Sequence, residues 1–310
     1  MTATTQNSFL QRLWQYQAER FPLIQHGPLV AIFVLSGLML SSLLRGQAQA
    51  PDVGVWLAAT LSVVLLFFQL RVADEFKDAE NDARYRPERP VPRGLVTLAE
   101  LRHTAFAAAA LQLILSWLVT PGLAVLLLIV WIYMALMTAE FFARDWLSCH
   151  LGTYMLSHML VMPLIDFYIT AFDWMPGAAT PSAWLTIFLL ISLFNGIILE
   201  IGRKSWAPEM EREGVESYSS TWGLKRATMA WAAAILLSAC GIIALGAVVN
   251  LFWISFVFVG LLALLAALFA WHFSQQATVK NTKRLAALSG AWVFLSYFWL
   301  GPVCFWLSPR

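Results

Sequence analysis

Residues 53–94 read VGVWLAATLSVVLLFFQLRVADEFKDAENDARYRPERPVPRG. From Val53 to Leu70 there is no charged residue; from Arg71 onward charges of both signs crowd together. A hydrocarbon layer about 30 Å thick is crossed by roughly 20 apolar residues in a helix. The stretch therefore describes a helix that leaves lipid and enters water near residue 73. The rest of the chain has the same character. Of 310 residues, 60% are apolar and 12% are charged, against about a quarter charged in an ordinary soluble domain. A soluble fold has nowhere to hide that much apolar surface, so lipid is the solvent. The net charge of +2 gives no basis for binding nucleic acid. Cys149, Cys240 and Cys304 are scattered, without metal-ligand or redox spacing.

Eight further apolar stretches accompany 53–73: residues 24–45, 98–119, 121–141, 150–173, 182–203, 226–248, 251–273 and 284–307. The expectation is an all-α polytopic membrane protein of nine transmembrane helices, one domain over residues 1–310. Met1 to Ser8 is polar and uncharged, unlike a secretory leader. Residues 9–20 can form an amphipathic helix, so 1–23 is expected to be an interfacial segment. With the N-terminus in the cytoplasm, 18 of the 20 Lys and Arg residues fall on the cytoplasmic side, and only Arg45 and Arg310 on the other. That asymmetry fixes the expected orientation. Two connections on that side are long and charged, 74–97 and 200–225. Two such loops in corresponding positions point to one site built from two halves.

In the first loop, Asp74, Asp78 and Asp82 recur every four residues. On a continuing helix they share a face. Like charges at that spacing repel, so a counter-charge is required. A divalent cation is one answer, and Mg²⁺ takes one or two carboxylates together with substrate phosphates. The plain alternative is a solvated run closed by Arg71 and Lys77. Next comes Arg86-Pro87-Glu88-Arg89-Pro90-Val91-Pro92-Arg93-Gly94. Its prolines stiffen the chain and fix where the arginines point, and Arg suits phosphate.

DxxxDxxxD followed by RPxRPxPxG resembles the first signature of the UbiA superfamily of intramembrane prenyltransferases, typically NDxxDxxxD and then RPxPxG. Asp78, Asp82, Arg89, Pro90, Pro92 and Gly94 match it, and Asp74 stands where the family usually has Asn. The resemblance implies a nine-helix bundle around a central cavity, with the aspartates holding Mg²⁺ against the diphosphate of a polyprenyl donor.

The second loop departs from the family pattern. Relatives carry a second DxxxD there, then G-[IV]-x-[ST]. Here Glu209 and Glu213 lie near the expected places, and Gly214-Val215-Glu216-Ser217 and Gly223 resemble the tail. Glu200 and Lys204 are four apart and compatible with a simple ion pair. They are equally compatible with a metal-binding Glu200 beside diphosphate-binding Arg203 and Lys204, with Asn195 on the same helix as a substrate contact. Glu140 and Arg144, also four apart, are either a structural pair or the place where Arg144 replaces a family lysine on the diphosphate.

Asp166 lies deep in the fifth helix after Pro163. A carboxylate there costs about 3 kcal/mol unless it is paired or faces a wet cavity. It is a candidate for contacting the acceptor or taking its proton; His158, two turns earlier on roughly the same face, is a possible partner, though a lone His there is more often a packed interhelical residue.

The resulting expectation is Mg²⁺-dependent transfer of a prenyl group to an aromatic or other lipophilic acceptor. Asp74, Asp78, Asp82, Glu200, Lys204 and Asp166 are the candidate catalytic residues. Glu209 and Glu213 join the metal set, and Arg89, Arg144, Arg203, Lys204 and Asn195 contact substrate. The site is expected to face the cytoplasm of a bacterial inner membrane. Cyclisation of the isoprenoid or transfer of phosphoribose to a polyprenyl phosphate keeps the same site with another outcome. A transporter is the reading from a different class, but transporters place ionisable residues near the midplane, and only Asp166 is plainly deep.

Overall fold

A computed structural model of the chain describes residues 8–211 and 215–308. The described chain is helical throughout: α1 Phe9–Arg20, α2 Leu23–Leu44, α3 Val53–Lys77, α4 Ala79–Tyr85, α5 Leu98–Val119, α6 Pro121–Thr138, α7 Arg144–Cys149, α8 Leu151–Met159, α9 Val161–Trp174, α10 Leu185–Arg203, α11 Tyr218–Trp222, α12 Leu224–Val248, α13 Phe252–Gln275, α14 Val279–Phe298 and α15 Cys304–Leu307. Among the described residues, nine spans are long and apolar enough to cross a membrane, with α8–α9 and α14–α15 each forming one span. They agree with the nine stretches read from the sequence to within a few residues.

Burial separates two populations. α2 and α10 are mostly covered by other helices, whereas α5, α6 and α13 leave most of their surface open. The open faces carry Trp117, Leu118, Ile132, Trp253, Val257 and Trp271. In water that apolar surface is a liability; against acyl chains it is solvated. Between them, a continuous core runs through α2, α3, α6, α9, α10, α12, α13 and α14. Without a hydrophobic drive between helices in lipid, close packing holds such bundles together. Gly301 illustrates it, since a Cβ there would collide with the Ser36 backbone. The chain reaches that contact through a π-helical turn, Trp299–Val303, containing Pro302. Proline offers no N–H, so the ladder loses its ordinary register there. The Ser36 hydroxyl donates to the Tyr297 carbonyl just before the turn.

One end of the bundle gathers most of the charge. The C-termini of α3 and α10, the start of α8 and the loop Val91–Leu95 all lie there, and α1 is strapped across it. Arg12 bonds Glu100 and the Leu95 carbonyl. Arg93 of the loop bonds Glu19, and Arg20 bonds Glu75 on α3 at 2.7 Å. Beneath these pairs Tyr16 is buried in a small second core with Val72, Val96 and Leu101. Leu10 and Trp14 stay exposed on the other side of α1. The segment expected at the interface thus has two faces, one docked on protein and one open. At the opposite end of the bundle Arg45 pairs with Asp173 at 2.8 Å.

Candidate active site

The first half of the site grows out of α3. α3 ends at Lys77 and α4 begins at Ala79, with Asp78 (φ −93°, ψ 5°) between them. Asp78 N–H donates to Asp74 O, Asp82 N–H to Asp78 O, and Arg86 N–H to Asp82 O, all at 2.8–2.9 Å. The one continuous helix expected from the spacing is thus broken at the middle aspartate, and single i+4 bonds on either side of it keep the three residues one turn apart. The three carboxylates differ in what they meet. Asp74 is half exposed and touches only Arg71, at 3.5 Å. The Asp78 side chain has no ion pair or hydrogen bond among the described residues. Asp82 is buried and neutralised twice, by Arg89 at 2.5 Å and Arg86 at 3.4 Å. The proline-stiffened loop does aim its arginine, but at Asp82.

Glu75, which the motif reading passed over, is 1% exposed. It faces Arg20 at 2.7 Å, Arg71 at 3.4 Å and the Tyr16 hydroxyl at 3.5 Å. The buried stripe of α3 runs Leu66, Gln69, Val72, Glu75. A glutamate continuing an i+3 apolar stripe was the available signal. Burial first, and the Glu75 charge second, raise the Tyr16 hydroxyl well above the ordinary range. Tyr16 therefore stays protonated and can donate to the carboxylate.

A strained turn forms one wall. Glu140, Phe141 and Phe142 all have positive φ, between 49° and 57°. The left-handed region costs a non-glycine residue about 1 kcal/mol or more. The turn brings Glu140 to Lys77 at 2.9 Å, with Arg144 at 3.5 Å. The Arg144 side chain is itself 77% exposed. Lys77 also donates to the Tyr154 hydroxyl at 2.5 Å and lies 3.3 Å from His158 Nε2. His158 Nδ1 is 2.8 Å from the Tyr154 carbonyl. A carbonyl only accepts and an ammonium only donates, so Nδ1 carries the proton and Nε2 receives from Lys77. His158 is thus committed to Lys77. Of the two readings the sequence allows, pairing with Asp166 does not occur, because α8 breaks from α9 at Leu160 and the ring is anchored within its own turn.

The second half is the end of α10. Glu200 is buried and holds Arg203 at 2.5 Å and Lys204 at 2.8 Å. The Lys204 carbonyl accepts from Tyr218 N–H at 2.8 Å, which returns the chain over the helix end. The Tyr218 side chain faces Glu200, and burial above all keeps its hydroxyl protonated. Arg203 also lies within electrostatic reach of Asp74, which links the two halves through their charges. In the following loop Glu209 is exposed on a short turn, Pro208–Met210. The inward carboxylate is Glu211, which accepts from Ser217 and Ser219 at 2.7–2.8 Å. Glu213 and Gly214 lie outside the described residues.

Asn195 and Asp166 belong to a deeper layer. Asp166 is fully buried and accepts from the Tyr297 hydroxyl at 2.8 Å. Asn195 accepts from Ser238 at 3.0 Å.

Among the described residues no three acidic or imidazole groups converge on one point. Mg²⁺ that shares its shell with substrate phosphates needs only one or two protein carboxylates. Asp74 and Asp78, one turn apart and short of counter-charge, fit that demand. Asp82 and Glu200, each satisfied by two cations, do not present a free carboxylate.

A nine-span helical membrane protein with opposed acidic and basic helix ends at one face defines the class. The model of the UbiA prenyltransferase family matches residues 30–296, most of the chain. The chain belongs to the UbiA prenyltransferase family. Its fold is similar to that of a digeranylgeranylglyceryl phosphate synthase, at 17% identity over 93% of this chain and 97% of that one, with a TM-score of 0.61. It is similar too to the apo structure of a UbiA homolog from Aeropyrum pernix K1, at 18% identity over 88% and 98%, with a TM-score of 0.60. No curated protein matches the chain in sequence.

Proposed function

We propose that the chain transfers a prenyl group from a polyprenyl diphosphate to an aromatic or other lipophilic acceptor, with the charged face towards the cytoplasm. The observation that carries this reading is Asp74 at the end of α3 within electrostatic reach of Arg203 at the end of α10, with Asp78 one turn on from Asp74 and Lys204 next to Arg203. Carboxylates short of counter-charge beside cations at a neighbouring helix end suit a metal-bound diphosphate.

Asp74 and Asp78 would hold Mg²⁺, which when bound would supply positive charge to the leaving diphosphate. Arg203 and Lys204 bind diphosphate oxygens, and Glu200 beneath them keeps both cations aimed at one place. Arg144, exposed on its strained turn, is free to swing onto the same oxygens. Cleavage of the allylic C–O bond leaves its electron pair on the diphosphate. Donors fixed in advance around that developing charge lower the barrier, because they need no reorganisation at the moment of cleavage. The acceptor attacks the allylic carbon from the membrane side and gives up one proton, which the departing diphosphate can take.

The test uses purified protein, Mg²⁺ and a panel of radiolabelled prenyl diphosphates. Mg²⁺-dependent diphosphate release that vanishes in Asp78→Ala supports the reading. Dependence of release on an added acceptor separates transfer from cyclisation. Absence of release and of binding across the panel overturns it.

A further inference from the structure

From Ser217 to Arg310 the chain contains no Asp or Glu, yet Lys225, Arg226, Lys280, Lys283 and Arg284 stand there. All five are exposed, and among the described residues none has an ion pair or a side-chain hydrogen bond. They belong to the charged end of the bundle. Lys225 and Arg226 open α12. The start of α14 is tied to the loop after α10, because Ala207 N–H donates to Thr282 Oγ1 at 2.9 Å. Around α1 and the proline loop the pattern is different: Arg12, Arg20, Arg89 and Arg93 each hold a carboxylate. At the α12–α14 end the protein leaves positive charge without a counter-charge of its own.

Lys225 also stands at the mouth of a groove. Between α12 and α13 a groove of about 280 Å³ is lined by Lys225, Met229 and Ala232 on one side and by Ala267, Trp271 and Gln275 on the other. Steps of three and four residues put each set on one helix face. The alanines leave the space between the helices, and Met229 and Trp271, 62% and 68% exposed, form its open banks towards lipid. Ala267 precedes Gln275 by eight residues, about 12 Å of helical rise, so the groove runs from the charged end into the apolar part of the bundle. Trp271 one turn below the mouth suits the level of lipid head groups. None of these residues belongs to the site formed by α3 and α10.

The chemistry of the groove selects its occupant. An apolar trough of that length and direction suits an acyl chain, which a free inorganic anion would leave unfilled. The ammonium at the mouth calls for a negative head group. A zwitterionic head group brings its own cation, and no carboxylate between Ser217 and Arg310 is present to meet it. We propose that the α12–α13 groove binds one anionic phospholipid, with an acyl chain along Ala232 and Ala267 and its phosphate at Lys225. Arg226, Lys280, Lys283 and Arg284 at the same end draw anionic lipid towards the mouth.

The test needs neither Mg²⁺ nor a prenyl diphosphate, so its failure leaves the proposed reaction standing. The full chain, stripped of lipid in detergent, is titrated with dioleoyl phosphatidylglycerol or dioleoyl phosphatidylcholine, the same chains with two head groups. Native mass spectrometry reads the affinity for the first lipid bound. Phosphatidylglycerol should bind about fivefold tighter, the worth of one lysine beside an anionic lipid. Lys225→Gln should abolish the preference; its side chain is exposed and unpaired, so the fold is kept. Ala267→Phe, which fills the groove and leaves every cation in place, should abolish the tight first binding, and Ala232→Phe does the same from the opposite wall should the first variant melt early. Equal affinity for the two lipids overturns the proposal. So does a preference that survives Lys225→Gln, which assigns it to diffuse charge, or tight binding that survives the filled groove, which places the lipid elsewhere.

Discussion

The two halves of the charged face are built differently. At the end of α3 the acids flank a break at Asp78 that i+4 backbone bonds still span, and the protein leaves Asp74 and Asp78 short of partners. At the end of α10 the helix stops, and its one carboxylate is saturated by the two cations that follow it. The first half offers negative charge to a ligand; the second offers positive charge. The proposed metal–phosphate ligand would find such an asymmetric pair complementary, whereas two matching acidic halves would call for a metal on each side. It also explains how the chain departs from a DxxxD in the second loop while keeping a two-sided site.

The sharpest way to break that contrast is Asp78→Ala. The side chain holds nothing in the protein, so the melting temperature should stay within about 1–2 °C of the parent. Mg²⁺-dependent diphosphate release should fall about a thousandfold, roughly 4 kcal/mol of transition-state stabilisation. A large loss of stability with little loss of activity would make Asp78 a structural residue. Glu75→Gln should do the reverse. Removing a buried charge beneath Arg20 and Arg71 costs about 3 kcal/mol. The variant should melt early and expose α1 to protease near Phe21, which mass mapping of the first cleavage would locate.

Lys204→Ala comes next, with an expected loss of about thirtyfold in kcat/KM, roughly 2 kcal/mol. The loss should appear in the KM for prenyl diphosphate if the α10 half binds ground-state diphosphate, and in kcat if it acts on the developing charge. No change in either would remove the basic half from the site. Glu209→Ala sharpens the same comparison from the other side, with less than about a twofold change. The Glu209 side chain is exposed and no described group holds it, so a loss near that of Asp78→Ala would restore a second metal site in this loop.

How far each half was legible follows from its backbone. Apolar runs of membrane length and the one-sided placement of Lys and Arg specified all nine spans, because the bilayer imposes both regardless of tertiary contacts. Asp74, Asp78 and Asp82 were legible because a helix converts a spacing of four into a face. That same rule does not say which carboxylate an arginine will neutralise, so Arg89 on Asp82 became visible only in three dimensions. Glu75 hid inside a charge run whose stripe continued the buried face of α3. Glu211 was missed because its loop has no helical period; there, spacing carries no direction, and the serines that hold it lie six and eight residues on. His158 stood as a possible partner of Asp166 only on one straight helix from 150 to 173, which the break at Leu160 rules out.

The smallest effect concerns the strap that only the first half possesses. Glu19 on α1 is bonded by Arg93 of the proline loop at 2.6 Å. That hydrogen bond, above all, holds the Glu19 carboxyl below its usual range. A depressed folded-state pKa stabilises docking at pH values above the unfolded carboxyl, about 4.3. The contribution is lost as the pH falls through the lowered folded value. Docking of α1, followed by the fluorescence of Trp14 on its exposed face, should therefore loosen below about pH 4. Part of that acid transition should be missing in Glu19→Gln, which lacks the titrating group. Both side chains are about a third exposed, so salt should shrink the difference between variant and parent. An acid transition of equal size in the two proteins would assign the loosening instead to the Arg12–Glu100 pair of the same strap, where the Arg12 hydrogen bond above all lowers the Glu100 carboxyl.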